Sequence, residues 1–223
     1  MSGSVLFFGD PHGEWRPLRE AVADDAPAAI VILGDCDLVR PLHVELAPVF
    51  AAGVEVAYLY GNHEKDLPGF WDNLVGDHPG GLLHATVRRL GPYDVAGVAG
   101  VFKQRIWLPP AEPLFDGRAA YLRRLAHHER WRLGLPLRQR DAIFPEDFQA
   151  LAGKRADILV VHEAPSTHRH GFTALDDLAR DLRVRLVVHG HHHTSLTGAT
   201  PDGITVVGLG KAEVLRLRAG DLP

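Results

Sequence analysis

A second cysteine is missing from this 223-residue chain, so Cys36 can form no intramolecular disulfide, and a multi-cysteine zinc site is excluded. That usage suits a reducing compartment. Long apolar runs are also missing, and none approaches the roughly 18 residues that a membrane-spanning helix requires. The opening Met1-Ser2-Gly3-Ser4 carries neither a basic leader nor a small-residue cleavage site. A cytoplasmic protein without a membrane partner is therefore expected. Positive charge is in deficit, with 24 Lys and Arg against 28 Asp and Glu and a net charge of -4, which argues against a chain built mainly to coat nucleic acid. Repeats and low-complexity tracts are absent, and the 46% hydrophobic and 23% charged fractions are those of an ordinary folded domain.

Histidine, by contrast, is plentiful. Fourteen are present, and His189 with the run His191-His192-His193 closes an apolar segment that breaks at Gly190. Imidazole is the commonest metal ligand and titrates near neutrality, so such a cluster at a strand end is a candidate site. A chance run of solvated histidines would look the same, and partners elsewhere in the chain must decide.

The hydrophobic pattern alternates. Val5 to Phe8, Ala28 to Leu33 and Val54 to Tyr60 read as buried strands, separated by helical patterns over Glu14 to Ala23 and Pro41 to Ala52. Strands follow at Thr86 to Leu90 and Tyr93 to Val101, then at Ala156 to Val161 and Val184 to Val188 with a helix at Ala174 to Leu182 between them, and finally at Ile204 to Val207 and Val214 to Leu217. Such alternation argues for parallel strands with crossover helices, whose ligands collect outside the strand C-terminal ends.

Residues 102–149 interrupt the pattern and are expected to form an insertion or cap around an amphipathic helix from Arg118 to Leu133. Between Lys103 and Arg140 nine basic residues stand against three acidic ones. They are either a solvated arginine-rich face or a cationic rim for an anionic substrate, with Arg105, Arg123 and Arg124 as candidate substrate contacts.

Five strand ends carry metal-ligand types: Asp10 and His12, Asp35, Asn62 and His63, His162, then His191 and His193. If these segments stay extended, Asp10 with His12, and His191 with His193, each point two donors to one side while His192 points away. Oxygen donors mixed with imidazoles favour manganese, iron or zinc over magnesium or calcium, and seven donors suit two ions better than one. A bridging carboxylate would set the ions ~3.5–4 Å apart, as two-metal hydrolysis requires. Singly, each residue has a blander use: Asp10 and Asp35 as helix caps, Asn62 in a turn, His63 as a loop residue.

In order, Gly-Asp-x-His-Gly at 9–13, Gly-Asp at 34–35, Gly-Asn-His-Glu at 61–64, His162 after an apolar strand and Gly-His-x-His at 190–193 resemble the motifs of the calcineurin-like metallophosphoesterases. The resemblance implies one domain over residues 1–223, a four-layer α/β/β/α sandwich, with the arginine-rich segment at about 102–149 as its cap. It implies two divalent ions, manganese first with iron or zinc as alternatives. Asp10, His12 and His193 would hold one ion, Asp35 would bridge, and Asn62, His162 and His191 would hold the other. His63 would donate a proton to the leaving group while metal-bound hydroxide attacks phosphorus. The wording of the motifs leans to a phosphomonoesterase acting on a phosphorylated small molecule or nucleotide. A phosphodiesterase acting on nucleotides, or on nucleic acid through the basic insertion, stays open, as does a catalytically silent scaffold of the same fold. Gly-Asp-Cys-Asp-Leu-Val-Arg around Asp35 departs from the Gly-Asp-x-Val-Asp-Arg-Gly of protein serine/threonine phosphatases, so Asp37 and Arg40 are displaced. What orients His63 is left open by that shift.

Overall fold

The computed structural model describes residues 3–223. In chain order its elements are β1 (Val5–Phe8), α1 (Arg16–Asp24), β2 (Ala29–Ile32), α2 (Leu42–Glu45), α3 (Ala47–Ala51), β3 (Glu55–Tyr58) and α4 (Pro68–Trp71). There follow β4 (Thr86–Leu90), β5 (Tyr93–Val98), α5 (Arg118–Arg123), α6 (Pro145–Gln149), β6 (Ile158–Val161), α7 (Thr173–Leu182), β7 (Leu186–His189), β8 (Leu196–Ala199), β9 (Thr205–Gly208) and β10 (Val214–Leu217).

Two sheets result, one ordered β10-β1-β2-β3 and the other β4-β5-β6-β7-β9-β8. Strands β1, β2 and β3 run parallel, as do β5, β6, β7 and β9, and the antiparallel strands β10, β4 and β8 lie at edges. The inner strands are continuous apolar runs because both faces are covered. Alternation along β6 shows the layering: Ile158 and Val160 join the core that contains β1, β2 and β3, whereas Leu159 and Val161 pack with Leu175, Leu178 and Leu182 of α7. The two sheets thus face each other across one core, and α7 covers the far side of the second sheet. Among the described residues no helix is long and apolar enough to cross a membrane.

Two expectations about local structure need correction, and one strand lies outside them. The helix read over Pro41 to Ala52 is two short helices, α2 and α3, because Pro48 has no N–H to continue the first. The helix read from Arg118 to Leu133 stops after Arg123. Beyond it the chain turns back through Arg132 and Leu133, both at positive φ, so that Trp131 stacks on Arg140 and Arg132 pairs with Asp72. Tertiary contacts outweigh helix propensity there. Strand β8 had no apolar run to announce it, since it is a half-exposed edge interrupted by Gly198. Within 102–149 a small separate core forms from Ile106, Tyr121, Leu135, Ala142 and Phe144.

Candidate metal centre

All the parallel strands that feed the site end on one side, and their following loops are laced together. The His12 N–H donates to the Asp35 carbonyl at 2.9 Å, and the Ala212 N–H donates to the Asp10 carbonyl at 3.2 Å. Gly61 is required here because a Cβ at that position would overlap Asp35 Oδ1 and His162 Nε2. Glu64, wholly buried, accepts from the N–H groups of Gly61 (2.6 Å), Cys36 (2.7 Å) and Asp35 (3.3 Å), tying the loop after β2 to the loop after β3.

The backbone at the site is not extended. Asp10, His12, Asp35, Asp37, His191 and His193 all have positive φ, between 37° and 72°. Asp and His tolerate this left-handed region better than most residues, yet each such residue still costs of order 1–3 kcal/mol. The strain has a consequence for direction: His191 and His193 do not face one centre, as an extended segment would have them do. His193 joins His12 and Asp35, whereas His191 joins Asp35 and His162, with the donor atoms of each trio within 4.8 Å of one another. Asp35 is common to both. His192 belongs to neither trio; it stacks on His168, ring centroids 3.7 Å apart, and lies in a separate grouping with Glu163 and His191 that does not include Asp35.

The donor chemistry fits cations. His12 Nδ1–H donates to Asp37 Oδ2 at 2.9 Å, which turns its Nε2 lone pair toward His193 Nε2 at 2.9 Å and Asp35 Oδ2 at 3.8 Å. His162 Nδ1–H donates to the Leu33 carbonyl at 2.7 Å, so its Nε2 faces Asn62 Oδ1 at 3.2 Å and Asp35 Oδ2 at 3.4 Å. Acceptors therefore point at acceptors, an arrangement that only a proton or a cation relieves. Asp10 is wholly buried, and among the described residues neither of its oxygens has a well-formed hydrogen-bond partner, the backbone of His191 giving only a minor stabilising influence. A bare carboxylate in that position calls for a metal ion or a proton.

The electrostatics agree. Burial pushes the Asp10 carboxyl up to about 6, partly offset by His162. Burial would also raise Asp35, but the neighbouring His162 and His63 win and hold it well below the usual range. Burial would lower His162, yet Asp35 and Asp10 lift it to about 10. Burial, reinforced by His162, drops His191 to about 3, and burial followed by His12 lowers His193. Near pH 7 these last two rings are neutral and offer lone pairs, and protons compete with metal chiefly at His162.

Beyond the donors, His63 Nδ1 lies 3.1 Å from Asp66 Oδ2 and 3.8 Å from Asp37 Oδ1, and its backbone N–H donates to Asp35 Oδ1 at 2.8 Å. Arg40 is engaged elsewhere, with Glu45 at 2.6 Å. Glu163 places Oε1 3.5 Å from His191 Nε2 and accepts the Phe102 N–H through Oε2. Sequence reasoning missed Asp66 and Glu163; their only signals were an acidic residue three positions after His63 and one directly after His162. Arg105, Arg123 and Arg124 make no hydrogen bond or ion pair with any of the seven donors among the described residues, and Arg123 and Arg124 line an open surface cavity with Leu114 and Phe115. Other basic residues of 102–149 are neutralised: Arg118 by Asp147 and Glu146, Arg132 by Asp72, Lys103 by Asp141.

The fold is a sandwich of two mixed sheets with carboxylates and imidazoles gathered at the strand ends, and sequence comparison gives its class. The profile of the calcineurin-like phosphoesterases matches residues 3–195, and the chain belongs to that family of phosphate-ester hydrolases, which normally use a dinuclear metal centre. An uncharacterised protein of Haemophilus influenzae is 36% identical over 207 residues, covering 92% of this chain and 90% of its own. Among solved structures, a Thermus thermophilus protein superposes with a TM-score of 0.60 at 15% identity, covering 98% of this chain and 99% of its own. A dimetal phosphatase from Danio rerio gives 0.53 at 13% identity, covering 94% and 87%. At those identities the two structures show likeness of fold.

Proposed function

We propose that this protein is a dimetal phosphomonoesterase, and the observation that carries the reading is the Asp35 carboxylate shared by two trios of donors. Asp10, His12, Asp35 and His193 would hold one ion, and Asp35, Asn62, His162 and His191 the other. Manganese is the first candidate for this mixed oxygen and nitrogen set, with iron and zinc next. When bound, the ions supply Lewis acidity, neutralising phosphoryl oxygens and making water nucleophilic near neutral pH.

The chain's own groups do the rest. Asp37 fixes the His12 tautomer and Leu33 fixes that of His162, so both lone pairs are aimed before metal arrives. His63 sits at the edge of the site with Nδ1 beside Asp66 and Asp37, which leaves Nε2 to deliver a proton to the departing alkoxide oxygen. Those two carboxylates would orient it. A phosphorylated small molecule or nucleotide is the substrate class, and a cytoplasmic setting fits the single buried thiol of Cys36.

The test is hydrolysis of an aryl monophosphate by protein reconstituted with manganese, beside the matching bis-aryl diester. The monoester should be preferred. Preference for the diester would make the protein a phosphodiesterase, whereas inactivity with every metal, together with an Asp35→Asn variant of unchanged metal content, would leave only a silent scaffold.

A further inference from the structure

Beside the end of β3 lies a cavity of about 350 Å³, walled by Tyr60, Trp71, Leu82 and Leu135 and bordered by Arg118 and Arg140. That volume falls within the roughly 300–1,000 Å³ of small-molecule sites, and the walls are largely aromatic and aliphatic. The two arginines differ. Arg118 is neutralised by ion pairs with Asp147 and Glu146 at 2.5 and 2.9 Å. Arg140 makes one hydrogen bond, from Nη2 to the Trp131 carbonyl at 3.2 Å, and its Nε is sealed from solvent without an acceptor. Among the described residues it forms no ion pair with a carboxylate.

Arg140 is held instead by indole rings, its Cζ 4.5 Å from the Trp131 centroid and 5.3 Å from that of Trp71. Cation–π attraction explains how a half-buried guanidinium is tolerated. It does not explain an open apolar cavity next to an uncompensated charge. Burial, then Arg132, depresses the pKa of Arg140 although Asp72 partly opposes them, so an anion arriving there would relieve a standing electrostatic cost.

We propose that this cavity binds the alcohol portion of the substrate, and that this portion is a planar aromatic group carrying a negative charge, its ring against Tyr60 and Trp71 and its anion on Arg140. The proposal rests on the phosphoesterase reading above. Cavity and metal donors share one loop, because Tyr60 stands two residues before Asn62. A neutral ring would leave Arg140 unpaired, and a charged aliphatic chain would forfeit the aromatic walls.

The first experiment needs no turnover. Metal-depleted protein is titrated with 1-naphthoate and with the neutral 1-naphthamide, followed by tryptophan fluorescence. Naphthoate should bind at least about tenfold more tightly, the effect of one charge-assisted hydrogen bond. Arg140→Met should abolish that difference, and Leu135→Trp, which fills the cavity, should abolish both interactions while melting temperature reports that the variants fold. Equal binding of the two ligands, or binding that survives Leu135→Trp, overturns the proposal.

The second experiment compares 4-carboxyphenyl phosphate with phenyl phosphate on metal-loaded protein. The ratio of kcat/KM should favour the carboxylated ester by about tenfold or more, and should approach one in Arg140→Met. If neither ester is hydrolysed but naphthoate binds through Arg140, the cavity stands as an aromatic-anion site and the phosphoesterase reading falls. If phenyl phosphate is hydrolysed and naphthoate does not bind, the cavity proposal falls alone.

Discussion

Replacing Glu64 by alanine should separate two loops that carry the metal donors. The wild-type carboxylate receives short bonds from Gly61 N–H at 2.6 Å and Cys36 N–H at 2.7 Å, with a longer one from Asp35 N–H at 3.3 Å. All lie out of water, so truncation strands two well-made donors at roughly 1–3 kcal/mol each, and the longer bond adds little. An offset exists. Burial, then Asp35, pushes the Glu64 carboxyl up to about 7, so its charge is itself disfavoured at neutral pH. A net loss in the lower half of the range, about 2–4 kcal/mol, is therefore expected. For a chain of this size that lowers Tm by about 5–15 °C, at about 2–4 °C per kcal/mol. Calorimetry of metal-depleted Glu64→Ala measures it, and a manganese titration of the same variant reads the functional consequence. Because Asp35 and Asn62 sit on the two loops that Glu64 joins, metal affinity should fall with stability. A Tm within about 2 °C of wild type, with unchanged metal affinity, would refute the reasoning that Glu64 positions the loops.

Three further outcomes follow from the same geometry. His191→Ala should lose an equivalent of bound metal, whereas His192→Ala, whose ring rests on His168 away from Asp35, should retain both equivalents and most activity; identical metal content in the two variants would sink the assignment. In metal-depleted protein Asp10 binds its proton more tightly folded, about 6, than unfolded, 3.8, so its contribution to stability is lost as pH rises from about 4 to about 6 and stays lost above. Asp10→Asn should flatten that fall and raise stability at pH 8 by up to about 3 kcal/mol, read by denaturant unfolding, while abolishing metal binding. Arg123→Ala combined with Arg124→Ala should leave aryl phosphate hydrolysis within about twofold of wild type, because both side chains line a cavity with Leu114 and Phe115. A tenfold loss would support the cationic rim.

Most strands, the family and the residue types of the candidate donors were legible in the sequence because they depend on local rules. Continuous apolar runs such as Val5–Phe8 and Ile158–Val161 can only be strands buried on both faces, and the motif residues follow them directly. The aim of each donor was not legible. Extended geometry put His191 and His193 on one side, but their φ values of 72° and 51° turn them to different trios around Asp35. Such left-handed conformations persist only where surrounding packing over-determines them, and that packing joins residues far apart in the chain. The partners of His63 came from tertiary structure for the same reason: Asp37 reaches it from the loop after β2, and Asp66 from a turn no periodicity announces. Residues 102–149 show the limit most clearly. Their arginine content could be counted from the sequence, but Arg118 is cancelled by Asp147 and Arg140 stands uncompensated between two indoles, and only the fold decides which charge a ligand could meet.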